Sequence, residues 1–181
     1  PSELASIDEA LVVRGRQVQL AEPCELDAGA VGKGIAVDSI IEFLRSRGVT
    51  TAYVDFGGSS IATIGPEPGC PPWRVAVAAG QRIAGFAEAQ DVALSTSQAR
   101  PAGVGTGTII NPRTGAPVEA SRSATVRAPT ATAAEAWSTA LVVLGRRGLA
   151  ALHARGYEGV LVEGSQIFVT PGGWFTPAGP E

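Results

Sequence analysis

The sequence predicts an α+β fold, with mixed sheets and helices packed against them. Two observations carry this. Two long segments repeat apolar residues at helical spacing, and many short apolar segments are punctuated by Gly and Pro, as strands are. Their order along the chain is mixed, which is the α+β pattern. At 181 residues, 45% apolar and 17% charged, the chain can bury roughly 70% of its unfolded surface. One core suffices, and residues 1–181 are read as one domain.

Residues 12–20 (VVRGRQVQL) alternate weakly and read as a hairpin strand. Residues 33–47 read as a helix, because Val37, Ile40, Ile41 and Leu44 fall at i, i+3, i+4, i+7 and Gly48 follows. Residues 51–56 form a short apolar strand, Gly57-Gly58 a tight turn and residues 60–64 the returning strand. Residues 73–78, 83–87 and 92–96 read as further strands. A Gly/Pro loop follows at 101–107, then TIINPRTG with its Asn-Pro and Thr-Gly turn signals. Residues 124–128 are a strand and 133–144 a helix. Gly145 and Gly148 punctuate a shorter helix to Arg155, and residues 160–163 and 166–170 close as a hairpin around Gly164-Ser165.

Composition excludes several functions. A net charge of −3 argues against nucleic acid, which requires clustered positive charge. No apolar run reaches the 18 or so residues of a membrane span, and no secretory signal opens the chain. The chain has no methionine and begins at Pro1, so we expect an N-terminal piece to have been removed. Cys24 and Cys70 lack the spacing and nearby histidine of a zinc site; two free thiols and one disulfide both remain open. His153, the single histidine, sits near a helix end and is expected at the surface beside the carbonyl dipole.

Four constellations are candidates for chemistry. The first is residues 26–38, LDAGAVGKGIAVD, where Gly29, Gly32, Lys33 and Gly34 open the helix that carries Asp38. Free N–H groups at a helix start favour an anion, and glycines let a phosphate approach. Neither the P-loop nor the GxGxxG spacing is met, and a plain turn-to-helix join is the alternative. Lys33 is the only lysine beside thirteen arginines; a compact ammonium kept where a guanidinium would not fit is one reading, chance the other.

The second is Glu135 and Thr139, four apart and so on one helical face. Angular placement sets them opposite the stripe of Trp137, Ala140, Leu141 and Leu144, the side that usually meets solvent. Yet Val142 and Val143 share their side and Ser138 is the only other polar residue from 133 to 144, and a helix apolar nearly all round is normally buried. A buried carboxylate and hydroxyl suit a hard cation such as Mg²⁺. Alternatively, Thr132-x-x-Glu135 is a capping box, which would engage the Glu with the Thr132 N–H. The third is the loop from Thr108 to Gly115, with Arg113 able to reach a phosphate and Asn111 before a proline, where turns start. The fourth is Ser95-Thr96-Ser97 at a strand end. Ordinary turn chemistry is the alternative for both.

Together and in this order the segments resemble the ApbE family, the Mg²⁺-dependent FAD:protein FMN transferases. The family's DxGGxAKGxAVD is similar to Asp27 to Asp38, its Gly-Gly turn to Gly57-Gly58, and its ATSG to Ser95-Thr96-Ser97-Gln98. Its SHIIDPRTGxPV is similar to Gly107 to Val118, its SVTVxAPTAxxADAxxTALxVLG to Ser123 to Gly145, and its TPG to Thr170 to Gly172. The family's N-terminal portion has no counterpart here. The resemblance implies an ApbE-like fold and the cofactors FAD and Mg²⁺. The implied reaction joins FMN to a Ser or Thr of an acceptor protein and releases AMP. It also implies a cell-envelope or periplasm-like setting. Gly32 (through its carbonyl), Glu135 and Thr139 match the metal ligands. Lys33, Asp38, Gly57, Gly58, Thr96, Ser97 and Arg113 are expected at the flavin nucleotide. Thr108 stands where the family has its catalytic His, Asn111 where it has Asp, Ser59 after Gly-Gly, and Gln98 at the last position of ATSG. Loss of an acid–base group costs about 10²–10⁴ in rate. A slow transferase, a non-catalytic nucleotide-binding or scaffold protein of the same fold, and an FAD pyrophosphatase are therefore the alternatives.

Overall fold

Alternate side chains of the central strands serve two different cores, one on each face of a single sheet. In the computed structural model, which describes residues 7–21, 23–69, 72–99, 109–118 and 121–179, strand β4 (Ser60–Ile64) sends Ala62 and Ile64 to one core and Ile61 to the other. Strand β7 (Ala93–Gln98) divides Ala93 from Leu94, and β9 (Glu158–Glu163) divides Leu161 from Val160 and Val162. Period-2 alternation with both faces covered explains why β4 is buried along its whole length.

These strands belong to a six-stranded antiparallel sheet in the order β10-β9-β8-β7-β4-β3, completed by β3 (Ala52–Phe56), β8 (Arg122–Ala128) and β10 (Gln166–Val169). Helices α2 (Gly32–Ser46), α3 (Ala131–Leu144) and α4 (Arg146–His153) fill the first core through Val37, Ile41, Ala134, Leu141 and Leu152. The second core lies under a three-stranded sheet, order β11-β6-β5, made of β5 (Trp73–Ala79), β6 (Arg82–Ala89) and β11 (Phe175–Pro177). A short helix α1 (Ile7–Ala10) leads into the hairpin of β1 (Leu11–Arg14) and β2 (Gln17–Leu20).

The expected helices and strands form, with ends displaced by one to three residues. The four-residue α1 and the three-residue β11 were not expected; pieces so short carry no readable period. Helix α3 also differs in orientation. Its buried face is Ala131, Ala134, Glu135, Ser138, Leu141 and Val142, whereas Leu144 is 43% exposed. The stripe of Trp137, Ala140, Leu141 and Leu144 is thus not its inward side. His153 is exposed in the last turn of α4, as expected. Cys24 is a half-buried free thiol, and Cys70 lies outside the described residues.

Candidate active site

The site is built where the first turns of α2 and α3 touch. A Cβ on Gly34 would lie 2.6 Å from the Ala131 carbonyl oxygen and from the Thr132 Cα. Any larger residue would push the two helix starts apart, so this glycine serves helix contact rather than phosphate approach. The close approach lets each helix place a carboxylate on the other's free N–H groups.

From α2, the Asp38 Oδ1 accepts from the Ala131 N–H at 2.7 Å, and Oδ2 accepts from the Thr132 N–H at 3.0 Å and the Thr132 hydroxyl at 2.6 Å. Asp38, expected at the ligand, is thus engaged in capping α3 and does not line the cleft described below. From α3, the Glu135 Oε2 accepts from the Gly34 N–H at 2.6 Å, and Oε1 is ion-paired with the Lys33 ammonium. This removes the capping-box alternative. The cap of α3 is Thr130, whose hydroxyl accepts from the Ala133 N–H at 3.2 Å, while the Thr132 N–H belongs to Asp38. Glu135 is only 2% exposed, and the Lys33 side chain 37%.

Beside this pair runs a row of hydroxyls. The Ser97 Oγ lies 2.7 Å from the Ser138 Oγ and 3.1 Å from the Thr139 Oγ1, joining the end of β7 to α3. On the opposite face of β7, the Thr96 Oγ1 lies 2.8 Å from the Thr125 Oγ1. Thr96 and Thr125 are direct cross-strand partners, a pairing that composition alone does not reveal. Ser138 carried a signal in the sequence, as the one polar residue of 133–144 besides Glu135 and Thr139.

A cleft of about 760 Å³ opens here, at the end of the layer between the two sheets. Its polar end presents Asp27, Gly29, Lys33, Gly58, Thr96, Ser97, Thr125 and Thr139; Ile61, Val75, Val77 and Leu94 form an apolar wall continuous with the second core, and Ile109 adds an apolar contact from the first. Gly58 arrives through the β3–β4 turn, where Gly57 and Gly58 both have positive φ (69° and 70°) and the Asp55 Oδ1 accepts the Gly58 N–H at 2.7 Å. The dimensions suit a small-molecule or nucleotide ligand.

Lys33, Gly58, Thr96, Ser97 and Thr139 are therefore gathered on one cleft. Glu135 sits behind Lys33, while Gly32, Gly57 and Arg113 are not among the lining residues. Arg113 is exposed on a tight turn in which the Asn111 Oδ1 accepts the Arg113 N–H at 3.0 Å, the ordinary turn chemistry that was the alternative for this loop. Thr108 lies outside the described residues. Among the described residues, no three His, Cys, Asp or Glu side chains converge as metal ligands. The oxygens of Glu135 and Thr139 are still hard donors of the kind Mg²⁺ takes, with nucleotide phosphates supplying the remaining charge, so the donor set fits.

The sequence profile of the ApbE family matches residues 2–161. The chain is 29% identical over 154 residues to the FAD:protein FMN transferase of Salmonella typhimurium, covering 80% of this chain and 42% of that protein. It is 33% identical over 173 residues to the FAD:protein FMN transferase of Treponema pallidum, covering 85% and 46%. The chain thus spans less than half the length of these curated relatives. Among solved structures, the flavin transferase ApbE from Vibrio cholerae matches with a TM-score of 0.79 at 26% identity, over 92% of this chain and 57% of that one. The apo form of the Pseudomonas stutzeri flavinyl transferase ApbE matches with a TM-score of 0.73 at 27% identity, over 97% and 54%.

Proposed function

The chain belongs to the ApbE family, and from that premise we propose that its cleft binds FAD with Mg²⁺ and transfers FMN to a Ser or Thr hydroxyl of an acceptor protein, releasing AMP. The observation that carries the proposal is the division of charge at the polar end. The Lys33 ammonium faces the cleft, directly beside the Glu135 carboxylate, with the Thr139 and Ser97 hydroxyls on the neighbouring wall. An anionic pyrophosphate and a cation can be held side by side there.

Lys33 would bind the pyrophosphate, Glu135 and Thr139 would hold the metal, and the apolar wall would receive the flavin ring. Bound Mg²⁺ would neutralise charge on the phosphate oxygens. The acceptor hydroxyl oxygen forms a bond to the FMN phosphorus as the bond from that phosphorus to the bridging oxygen breaks, and AMP leaves with the electron pair. The hydroxyl proton passes to Asp27, the only carboxylate lining the cleft among the described residues; Thr108 has no basic form near neutrality. Asp27→Asn keeps an oxygen for the Gly29 N–H, which Oδ1 now accepts at 2.7 Å. It should lower transfer by about 10²-fold with FAD affinity unchanged.

The test is incubation with FAD, Mg²⁺ and an acceptor carrying the family's flavinylation sequence, read as covalent flavin fluorescence and AMP release. A fluorescent acceptor band is expected, and its absence sinks the transfer claim. A second reading, nucleotide binding without transfer, is favoured by Asn111, an amide whose oxygen is already engaged by its own turn. FAD binding by titration without a fluorescent band would establish it, whereas AMP release without an acceptor would identify hydrolysis.

A further inference from the structure

The hydroxyl row between β7 and α3 ends on a backbone carbonyl oxygen. Ser138 is fully buried, and its Oγ lies 3.0 Å from the Glu135 carbonyl oxygen and 3.4 Å from the Ser95 Oγ. Ser138 is the donor in both of these contacts, and its single proton belongs to the shorter, on the Glu135 oxygen. Ser138 therefore meets the Ser97 Oγ, 2.7 Å away, as an acceptor, and Ser97 is the donor. With the Ser97 proton engaged, the 3.1 Å contact between Ser97 and Thr139 requires Thr139 to donate. The reverse order would take the Ser138 proton away from both contacts in which it is the donor.

From this order, and resting on the cation reading of the site given above, we infer that Ser97 and Ser138 are positioning residues that hold the Thr139 hydroxyl as a pure acceptor toward the cleft. Thr139 and Ser97 both line the cleft. With their protons directed away from it, they present lone pairs to a cation or an N–H group and cannot donate to a phosphate oxygen. The phosphates are thereby assigned to the Lys33 side and the metal to the α3 side. This separation distinguishes metal-bound nucleotide from free nucleotide.

The test uses the full chain, Mn²⁺ as the metal probe and ADP as the nucleotide, with bound Mn²⁺ read by electron paramagnetic resonance. Ser138→Ala releases the Ser97 proton to turn toward Thr139, and Ser97→Ala removes the acceptor of the Thr139 proton; either change turns that proton into the cleft. Each variant should weaken Mn²⁺ binding at saturating ADP by about tenfold, the size of an outer-partner effect at a metal site. In Ser138→Ala, whose side chain is buried away from the cleft, ADP binding without metal should not weaken, and Ser97→Thr, which keeps the hydroxyl, should retain the native Mn²⁺ affinity. Unchanged Mn²⁺ affinity in both alanine variants, with binding abolished in Glu135→Gln, overturns the positioning role and leaves the cation site standing. No Mn²⁺ binding by the native chain overturns both.

Discussion

Two carboxylates bridge the same pair of helices in opposite directions, and they differ in what else holds them. Asp38 runs from α2 to the start of α3 and receives two backbone N–H groups and one hydroxyl. Glu135 runs from α3 to the start of α2 and receives one backbone N–H group and the Lys33 ammonium. Peptide N–H groups in a helix start cannot move away, whereas an ammonium on a four-carbon stem can. The first bridge is therefore structural. On the proposed reading the second would exchange its cation, with a nucleotide phosphate drawing Lys33 off and the carboxylate passing to a metal.

If that difference is right, substitutions in the two bridges separate stability from binding. Asp38→Ala leaves the Ala131 and Thr132 N–H groups without their acceptor, and hydrogen bonds to a charged group contribute about 1.5–3 kcal/mol each, not additively. The expected loss is about 3 kcal/mol by urea unfolding; a loss below about 1 kcal/mol would show that this bridge does not hold α2 on α3. Glu135→Gln comes next. Its amide oxygen still accepts from Gly34, while its NH2 group takes the buried place facing Lys33, so stability should fall by about 1–2 kcal/mol, less than in Asp38→Ala. Mn²⁺ binding with ADP should fall by more than the roughly 10–100-fold seen for outer partners. A large stability loss with intact metal binding would make the two bridges equivalent and end the distinction.

Lys33→Met tests the exchange itself and has a smaller expected effect. Removing the competing ammonium should tighten Mn²⁺ binding without nucleotide by a few-fold, since on the proposed reading the metal would take the Glu135 Oε1 that now pairs with Lys33. The same change should weaken ADP binding, which loses its cationic partner. Mn²⁺ and ADP titrations read the two effects separately, and weaker Mn²⁺ binding in the absence of ADP would contradict the competition.

The sequence made one of these bridges legible and misplaced the other. Glu135 stood out as a charge on an apolar helix, because burying a carboxylate demands a partner. Its orientation did not follow, since α3 is covered by the central sheet, α2 and α4, and an all-apolar helix has no single inward stripe to read. Asp38 was read as a ligand residue because it closes the glycine-rich segment, while its true partners are Ala131 and Thr132, more than ninety residues on. Gly34 was assigned to phosphate approach for the same reason. Spacing within a segment cannot show that a glycine faces another helix. The strands β4 and β7 were legible as short apolar segments, but their register was not, and register is what sets Thr96 against Thr125.

The smallest effect concerns a third carboxylate, Asp55, which like Asp38 is held by a backbone N–H, here that of Gly58. It has no cation within its bridge, so its charge acts on its neighbour Tyr53. Burial, and secondarily the Asp55 charge, raise the Tyr53 hydroxyl above its ordinary value near 10. The neutral phenol is thus favoured in the folded chain. That contribution is fully present below the unfolded value and is lost as pH rises from about 10 through the raised folded value. Tyr53→Phe should therefore flatten the fall of the urea midpoint between about pH 9.5 and 11.5. An unchanged fall would show that neither burial nor the Asp55 charge raises the Tyr53 hydroxyl. In that case Asp55, held by a single amide, acts on its neighbour no more than Asp38 does, and only Glu135 acts on its surroundings.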